Sequence, residues 1–199
     1  MEKLKIFIGW DSREDIAYQV CKYSIEKRSS IPVEIIPIKQ HELRELKIYN
    51  RPIDKLASTE FSLTRFLVPY LSGFSGKAVF CDCDFLWLCD AKEISELFDN
   101  RYAAQVIRHN YIPPESVKMD NKVQYQYPRK NWSSMIVFNC EHSSNMVLTP
   151  QFIDVAAGST LHQFKWLHDN EIGGLDHNYN WLEGWYHKTS YDPKIIHYT

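Results

Sequence analysis

Phe80-Cys81-Asp82-Cys83-Asp84-Phe85-Leu86-Trp87-Leu88 sets an Asp-x-Asp pair at the end of a short apolar run. Side chains of a strand alternate with a period of two, so Asp82 and Asp84 are expected to project to one face and share a divalent cation. Two carboxylates side by side in apolar surroundings are costly without a counter-ion. A Mg²⁺ or Mn²⁺ ion that also holds a diphosphate would supply one. The competing reading is a strand-end turn with two solvated aspartates, because Asp-x-Asp alone is a short pattern.

Outward from this stretch, strand and helix signals alternate. Lys77 to Cys81 reads as the strand that delivers the pair, entered through the turn Ser72-Gly73-Phe74-Ser75-Gly76. Near the start, Lys5-Ile6-Phe7-Ile8-Gly9 reads as a strand ending in glycine, followed by Trp10-Asp11. Ser12-Arg13-Glu14-Asp15 fits a capping box, opening a helix to about Arg28 with Ile16, Val20 and Tyr23 at helical spacing. Val33 to Ile38 follows as a strand, and strand, helix, strand favours a right-handed crossover and a parallel pair. Ligands of such sheets bind at the carboxyl ends of the strands, where Gly9, Trp10 and Asp11 lie. Asp11 either accepts a hydrogen bond from a base or ribose or helps cap the helix.

Residues 60–71 read as a helix with Phe66, Leu67 and Tyr70 facing inward. Arg65, set among these apolar neighbours, is either a diphosphate ligand or the structural partner of a core acid. Residues 92–98 suggest a short helix, 102–107 a strand and 134–138 a buried strand, while Thr149-Pro150 reads as the N-cap and first residue of a helix. Residues 108–131 show no period, and a loop of that length is commonly a lid or binding loop.

At 199 residues the chain is expected to form a single domain, burying roughly 70% of its unfolded surface. A net charge of −2 gives no electrostatic ground for nucleic acid or membrane as a partner. No apolar run approaches the ~20 residues of a bilayer span and no secretory leader is legible, so a cytoplasmic protein without a transmembrane segment is expected. The five cysteines, mostly in apolar segments, are expected to be reduced core thiols. Cys81, Cys83 and Cys89 lack the spacing of a zinc knuckle.

Taken in order, these segments resemble the GT-A glycosyltransferases, most closely the glycosyltransferase family 8 and glycogenin-like group. The series runs from Phe7-Ile8-Gly9-Trp10-Asp11 through Thr64-Arg65-Phe66 to Phe80-Cys81-Asp82-Cys83-Asp84. It continues with Asn131-Trp132-Ser133-Ser134, Ile172-Gly173-Gly174-Leu175-Asp176-His177 and Ile195-Ile196-His197-Tyr198, covering nearly the whole chain. The resemblance implies an α/β, Rossmann-like GT-A fold with a mixed, mainly parallel central sheet flanked by helices. It implies transfer of a sugar from a nucleotide-diphosphate sugar, usually UDP-linked, with retention at the anomeric carbon and Mn²⁺ (or Mg²⁺) as the metal.

By the same resemblance Asp82, Asp84 and His197 bind the ion, a set of hard oxygens and one imidazole suited to Mn²⁺. Gly9, Trp10, Asp11, Arg65, Asp82, Cys83, Ser133 and Ser134 contact the donor. Asp176 faces the sugar, with Arg65 and Asn131 assisting; Ser133 and Ser134 are alternatively an ordinary strand entry. A metal-bridged diphosphate leaving group needs no protonated acid, which separates this chemistry from glycoside hydrolysis by paired carboxyl groups. The acceptor, a saccharide, lipid or protein, is left to variable loops such as 108–131 and 158–190, where Trp166, Trp181 and Trp185 are either stacking platforms or core.

Family members continue past the histidine with a Gly-rich segment and a Lys-Pro-Trp-like clamp, whereas this sequence ends at Thr199. The expectation is a C-terminally truncated domain or one that has dispensed with the clamp, and a frayed end at His197 would weaken metal binding. That departure supports a rival reading as a non-catalytic nucleotide- or glycan-binding relative. A nucleotidyltransferase is less favoured, since seven glycines form no Gly-rich phosphate loop near the first strand.

Overall fold

A computed structural model describes residues 3–54, 57–110, 128–186 and 192–198. In chain order the elements are β1 (Leu4–Trp10), α1 (Asp15–Arg28), β2 (Val33–Lys39), α2 (Gln40–Glu45), α3 (Val68–Leu71), β3 (Lys77–Cys81), β4 (Phe85–Trp87) and α4 (Ala91–Glu96). There follow β5 (Ala104–Ile107), β6 (Met135–Asn139), α5 (Pro150–Val155), α6 (Gly158–His162), β7 (Ile172–Leu175), β8 (Trp181–Leu182) and β9 (Ile195–His197). Short 3₁₀ turns occupy Thr64–Leu67, Trp132–Ser134 and His177–Asn180 among other places.

Six strands form the central sheet in the order β2-β1-β3-β6-β5-β7. β1 runs parallel to both β2 and β3, and β5 parallel to β7, while β6 is antiparallel to β3 and β5. The α/β, mixed sheet read from the sequence is therefore present, with β6 as its reversed strand. β3, β5 and β6 are buried along nearly their whole length, which explains their continuous apolar runs: a strand covered on both faces has no solvent side to alternate with. A second sheet, β4-β9-β8, pairs the end of the chain with the segment just after Asp84.

Four local expectations are corrected. Asp82 and Asp84 lie in the connection between β3 and β4 rather than on a strand. The capping box at Ser12 does not form; α1 starts after Glu14 without a side-chain cap, and the Ser12 hydroxyl donates to Glu60 instead. On α1 the buried residues are Tyr18, Cys21, Ser24 and Ile25, whereas Ile16, Val20 and Tyr23 are exposed. Ser24 is the reason the pattern misled, since its hydroxyl donates to the Cys21 carbonyl at 2.7 Å and accepts from the Trp87 amide at 3.0 Å, a polar residue used inside the core.

The fourth correction concerns residues 60–71, which form a 3₁₀ turn and then the four-residue α3 in place of one helix. Pro69 has no N–H for the Arg65 carbonyl and is accepted only in a helix's first turn, so the helix must restart at Val68. Phe66 and Leu67 are buried as expected, but Tyr70 is 37% exposed. Of the 108–131 segment, residues 111–127 lie outside the described residues.

Phe61, just ahead of the 3₁₀ turn, packs against Gly9 in β1. A Cβ at position 9 would fall within 2.7 Å of three Phe61 ring atoms, and Phe61 is fully buried. We expect Gly9→Ala to cost about 1–3 kcal/mol in urea unfolding, the range for overpacking a closed core. Pairing it with Phe61→Leu should recover part of that loss.

Candidate functional site

At the carboxyl end of β3, Asp82, Asp84 and His197 each bring one ligand atom within 4.8 Å of one another. That is about the span of two metal–oxygen bonds, so one cation can touch all three. β9 delivers His197 by pairing antiparallel to β4 in the register Phe85↔His197, and the two rings stack at 4.3 Å between centroids. Far from a frayed end, His197 is only 3% exposed, and the Tyr198 amide donates to the Asp84 carbonyl at 3.0 Å.

The two carboxylates are treated differently. Asp82 Oδ1 lies 2.7 Å from Arg65 Nη1, which also donates to the Ser133 carbonyl at 2.8 Å, while Arg65 Nε donates to the Ser62 carbonyl at 3.1 Å. The guanidinium carbon lies 5.2 and 5.0 Å from the ring centroids of Phe61 and Phe80, which are themselves 6.4 Å apart. This buried arginine is thus the partner of a core acid, with two aromatic rings within cation–π range. Asp84 Oδ1 is buried without a hydrogen-bond partner, 3.4 Å from His197 Nε2. A carboxylate oxygen excluded from water and lacking a donor calls for a cation, and two carboxylates with an imidazole match the donor set of Mn²⁺ or Mg²⁺. The residues present fit such an ion.

Cys83, between the aspartates, turns its thiol away to donate to Glu14 at 3.3 Å. Burial, reinforced by the Asp84 and Glu14 charges, pushes that thiol far above its usual range, so it stays protonated and is no thiolate ligand. Asn131 adopts the left-handed conformation (φ 64°), which asparagine tolerates, and starts the turn carrying Ser133 and Ser134. Both serines are buried with their hydroxyls engaged. Ser133 Oγ is 2.8 Å from His162 Nδ1, and Ser134 Oγ bonds the Asn131 carbonyl and the Asn180 amide. Asn180 in turn stands 3.0 Å from His197 Nδ1.

Asp11 lies at the end of β1 and is fully buried. Its oxygens accept from the Arg13 guanidinium at 2.9 and 2.7 Å, from the Arg13 amide and from the Glu60 amide. Burial opposes its charge, but these donors outweigh burial and hold the carboxyl below the usual range. Trp10 bonds Asp15 and packs edge-on to His41. Asp11's partners Arg13 and Glu60 line a cavity of about 730 Å³ with Tyr49, Arg51, Ser62 and His162. None of the carboxylate–histidine cluster lines it; Arg65, bonded to Ser62, Ser133 and Asp82, stands between the two.

Asp176 is exposed at the carboxyl end of β7, where it accepts from the Asn178 amide at 2.8 Å and caps the turn His177–Asn180. Trp181 is core, and Trp166 packs on Phe66 and Phe164 with its indole N–H on Asn145. Sequence reasoning missed Asn180, His162 and Arg13. Asn180 and His162 pair with residues far off in sequence and Arg13 folds back on Asp11 two residues before it, and no periodicity announces any of them.

The sheet order, the crossover from β1 to β2 and the carboxylates at the end of β3 define the GT-A glycosyltransferase fold. Over 98% of its length the chain superposes on WbbM, a bifunctional glycosyltransferase, with a TM-score of 0.65 at 13% identity. It superposes with a TM-score of 0.60 at 12% identity on the galactosyltransferase LgtC in complex with donor and acceptor sugar analogs, covering 87% of that chain. For mouse xyloside xylosyltransferase 1 the TM-score is 0.59 at 11% identity, covering 98% of that chain. The chain spans only 45% of WbbM. No protein-family model matches it. It is 51% identical to Protein CDI of Arabidopsis thaliana over 98% of its own length and 77% of that protein's, and it belongs to the Protein CDI family. No helix among the described residues is long and apolar enough to cross a membrane.

Removing Arg65 would leave Asp82 uncompensated next to Asp84. We expect Arg65→Met to destabilise by about 3–5 kcal/mol in urea unfolding, and Arg65→Met/Asp82→Asn to recover much of it. His162 supplies a pH test. Burial, then the Arg65 charge, lowers its pKa from 6.5 to about 3, so the folded protein keeps it neutral where the unfolded chain protonates. Stability is complete above pH 6.5 and falls as pH drops toward 3, by about 1.4 kcal/mol per pH unit, the sign His109 shares. His162→Gln should flatten that acid limb, read from urea midpoints across pH.

Proposed function

We propose that this protein is a metal-dependent glycosyltransferase of the family 8, glycogenin-like type, moving a sugar from a UDP-sugar to an acceptor with retention at the anomeric carbon. The observation that carries this reading is the Asp82, Asp84, His197 cluster in a GT-A fold, with Asp84 Oδ1 buried and short of a donor. Those three residues would hold Mn²⁺ or Mg²⁺, which when bound neutralises charge growing on the departing diphosphate. Arg65 holds the Asp82 carboxylate in place and adds positive charge behind it. The 730 Å³ cavity beyond Arg65 is of a size for a nucleotide-scale ligand, and Asp11, at the end of the strand carrying Gly9 and Trp10, reaches its lining through Arg13 and Glu60.

Asp176 is our candidate on the sugar face, with one oxygen engaged by the Asn178 amide. Asn131 is the candidate for a sugar hydroxyl, because its side-chain Nδ2 is buried without a partner. Ser133 and Ser134 contribute through the turn they build, and Cys83 through its main chain, since their side chains are engaged elsewhere. The LgtC complex with donor and acceptor sugar analogs supports the same assignment by likeness of fold. The acceptor is a saccharide, lipid or protein group.

Calorimetric titration of UDP with Mn²⁺, repeated with EDTA, on the protein and on Asp84→Ala tests this. Binding is expected only with both the metal and Asp84. Transfer or hydrolysis of a UDP-sugar should follow the same dependence. UDP binding with neither outcome across a panel of UDP-sugars would make the protein a nucleotide-binding relative. No binding of UDP, GDP, CMP or TDP would remove the donor site altogether.

A further inference from the structure

We propose that Asn180 is a positioning residue that sets which nitrogen of His197 carries the proton, through a one-way chain of hydrogen bonds beginning at the main-chain carbonyl of Asn131. A carbonyl oxygen can only accept, so the Ser134 hydroxyl, 2.7 Å away, commits its single proton to it. Ser134 Oγ must then act as acceptor toward Asn180, 2.8 Å away, which presents its Nδ2. That fixes the amide's orientation and turns Oδ1 toward His197 Nδ1 at 3.0 Å. Oδ1 carries no hydrogen, so Nδ1 donates. A neutral imidazole has one N–H, and Nε2 is left with a bare lone pair facing Asp84 Oδ1 at 3.4 Å.

The chain is closed to water that might scramble it: Asn180 is 0%, His197 3% and Ser134 4% exposed. The Phe85 ring, stacked at an interplanar angle of 20°, holds the imidazole plane. Ser134 also ties in the other arm of the site, because its carbonyl accepts from the Asp82 amide at 2.9 Å. The opposite tautomer would hydrogen-bond Asp84 through Nε2–H and occupy the nitrogen a cation needs. Fixing Nδ1–H therefore keeps the site in its cation-ready form. This consequence rests on the metal reading above, whereas the proton placement does not.

Long-range ¹H–¹⁵N NMR of the metal-free, histidine-labelled protein, at a pH where the ring is neutral, reads the tautomer directly. The wild type is expected to show His197 as Nδ1–H with bare Nε2. Asn180→Ala should move the proton to Nε2, Ser134→Ala should give a mixture by freeing the amide, and Asn180→Asp, still an acceptor, should keep Nδ1–H. Nε2–H in the wild type, or an unchanged tautomer in both alanine variants, overturns the proposal. If Asn180→Ala fails to fold, Ser134→Ala decides it. In parallel, Mn²⁺ alone is titrated by water-proton relaxation: Asn180→Ala should bind about 10- to 100-fold more weakly, and Asn180→Asp near the wild-type level. Nδ1–H in a wild type that takes up no Mn²⁺ would overturn the cation reading and leave the proton assignment standing.

Discussion

Two carboxylates set side by side at the edge of an apolar core need compensating positive charge, and the fold supplies a fixed cation to only one of them. Asp82 has Arg65 at 2.7 Å, while Asp84 Oδ1 has no hydrogen donor and faces an imidazole nitrogen. Much of the surrounding structure serves this asymmetry. Arg65 reaches Asp82 from the tight 3₁₀ turn Thr64–Leu67, and two carbonyls, those of Ser62 and Ser133, hold and orient its guanidinium. Phe61 and Phe80 pack beside it within cation–π range, and Gly9 makes room for Phe61. An ordinary α-helix through residues 60–71 would have spent the Ser62 carbonyl on its own ladder.

The sheet was legible in the sequence because buried strands leave an unmistakable record. Ile6 to Ile8, Ala78 to Cys81 and Met135 to Phe138 are apolar without interruption, and the spacers between them are long enough for crossovers. The Asp-x-Asp pair was legible for the opposite reason, as charge where charge does not belong. Helix α1 was misread at the level of its faces, since the core-facing stripe includes Ser24 and the solvent face includes Ile16 and Val20. A hydrophobic period cannot report a hydroxyl that is buried to satisfy a strand amide.

The polar residues that organise the site left still less trace. His162 and Asn180 act through partners 29 and 46 residues away, Ser133 and Ser134, so only the folded chain reveals their pairing. Ser133 and Ser134 were expected either at the donor or as an ordinary strand entry, and their position beside one another directs their hydroxyls to different partners. One hydroxyl goes toward His162 and the cavity and the other toward Asn180 and the carboxylates. A single short turn, begun by the left-handed Asn131, thus braces both the Arg65 wall and the histidine arm.

The same economy governs the far side. Asp176 caps the 3₁₀ turn His177–Asn180, and the last residue of that turn is the asparagine that faces His197. The candidate for the sugar face and the positioning residue of the metal face therefore lie at the two ends of one turn. Any shift of β7 that moves Asp176 must also pull on Asn180, whose hydrogen bonds to Ser134 and His197 are directional and buried. A segment built this way cannot move Asp176 independently of the residue that bonds His197. The consequence of that coupling is rigidity: the imidazole of His197 and the carboxylate of Asp176 are set by the same backbone segment.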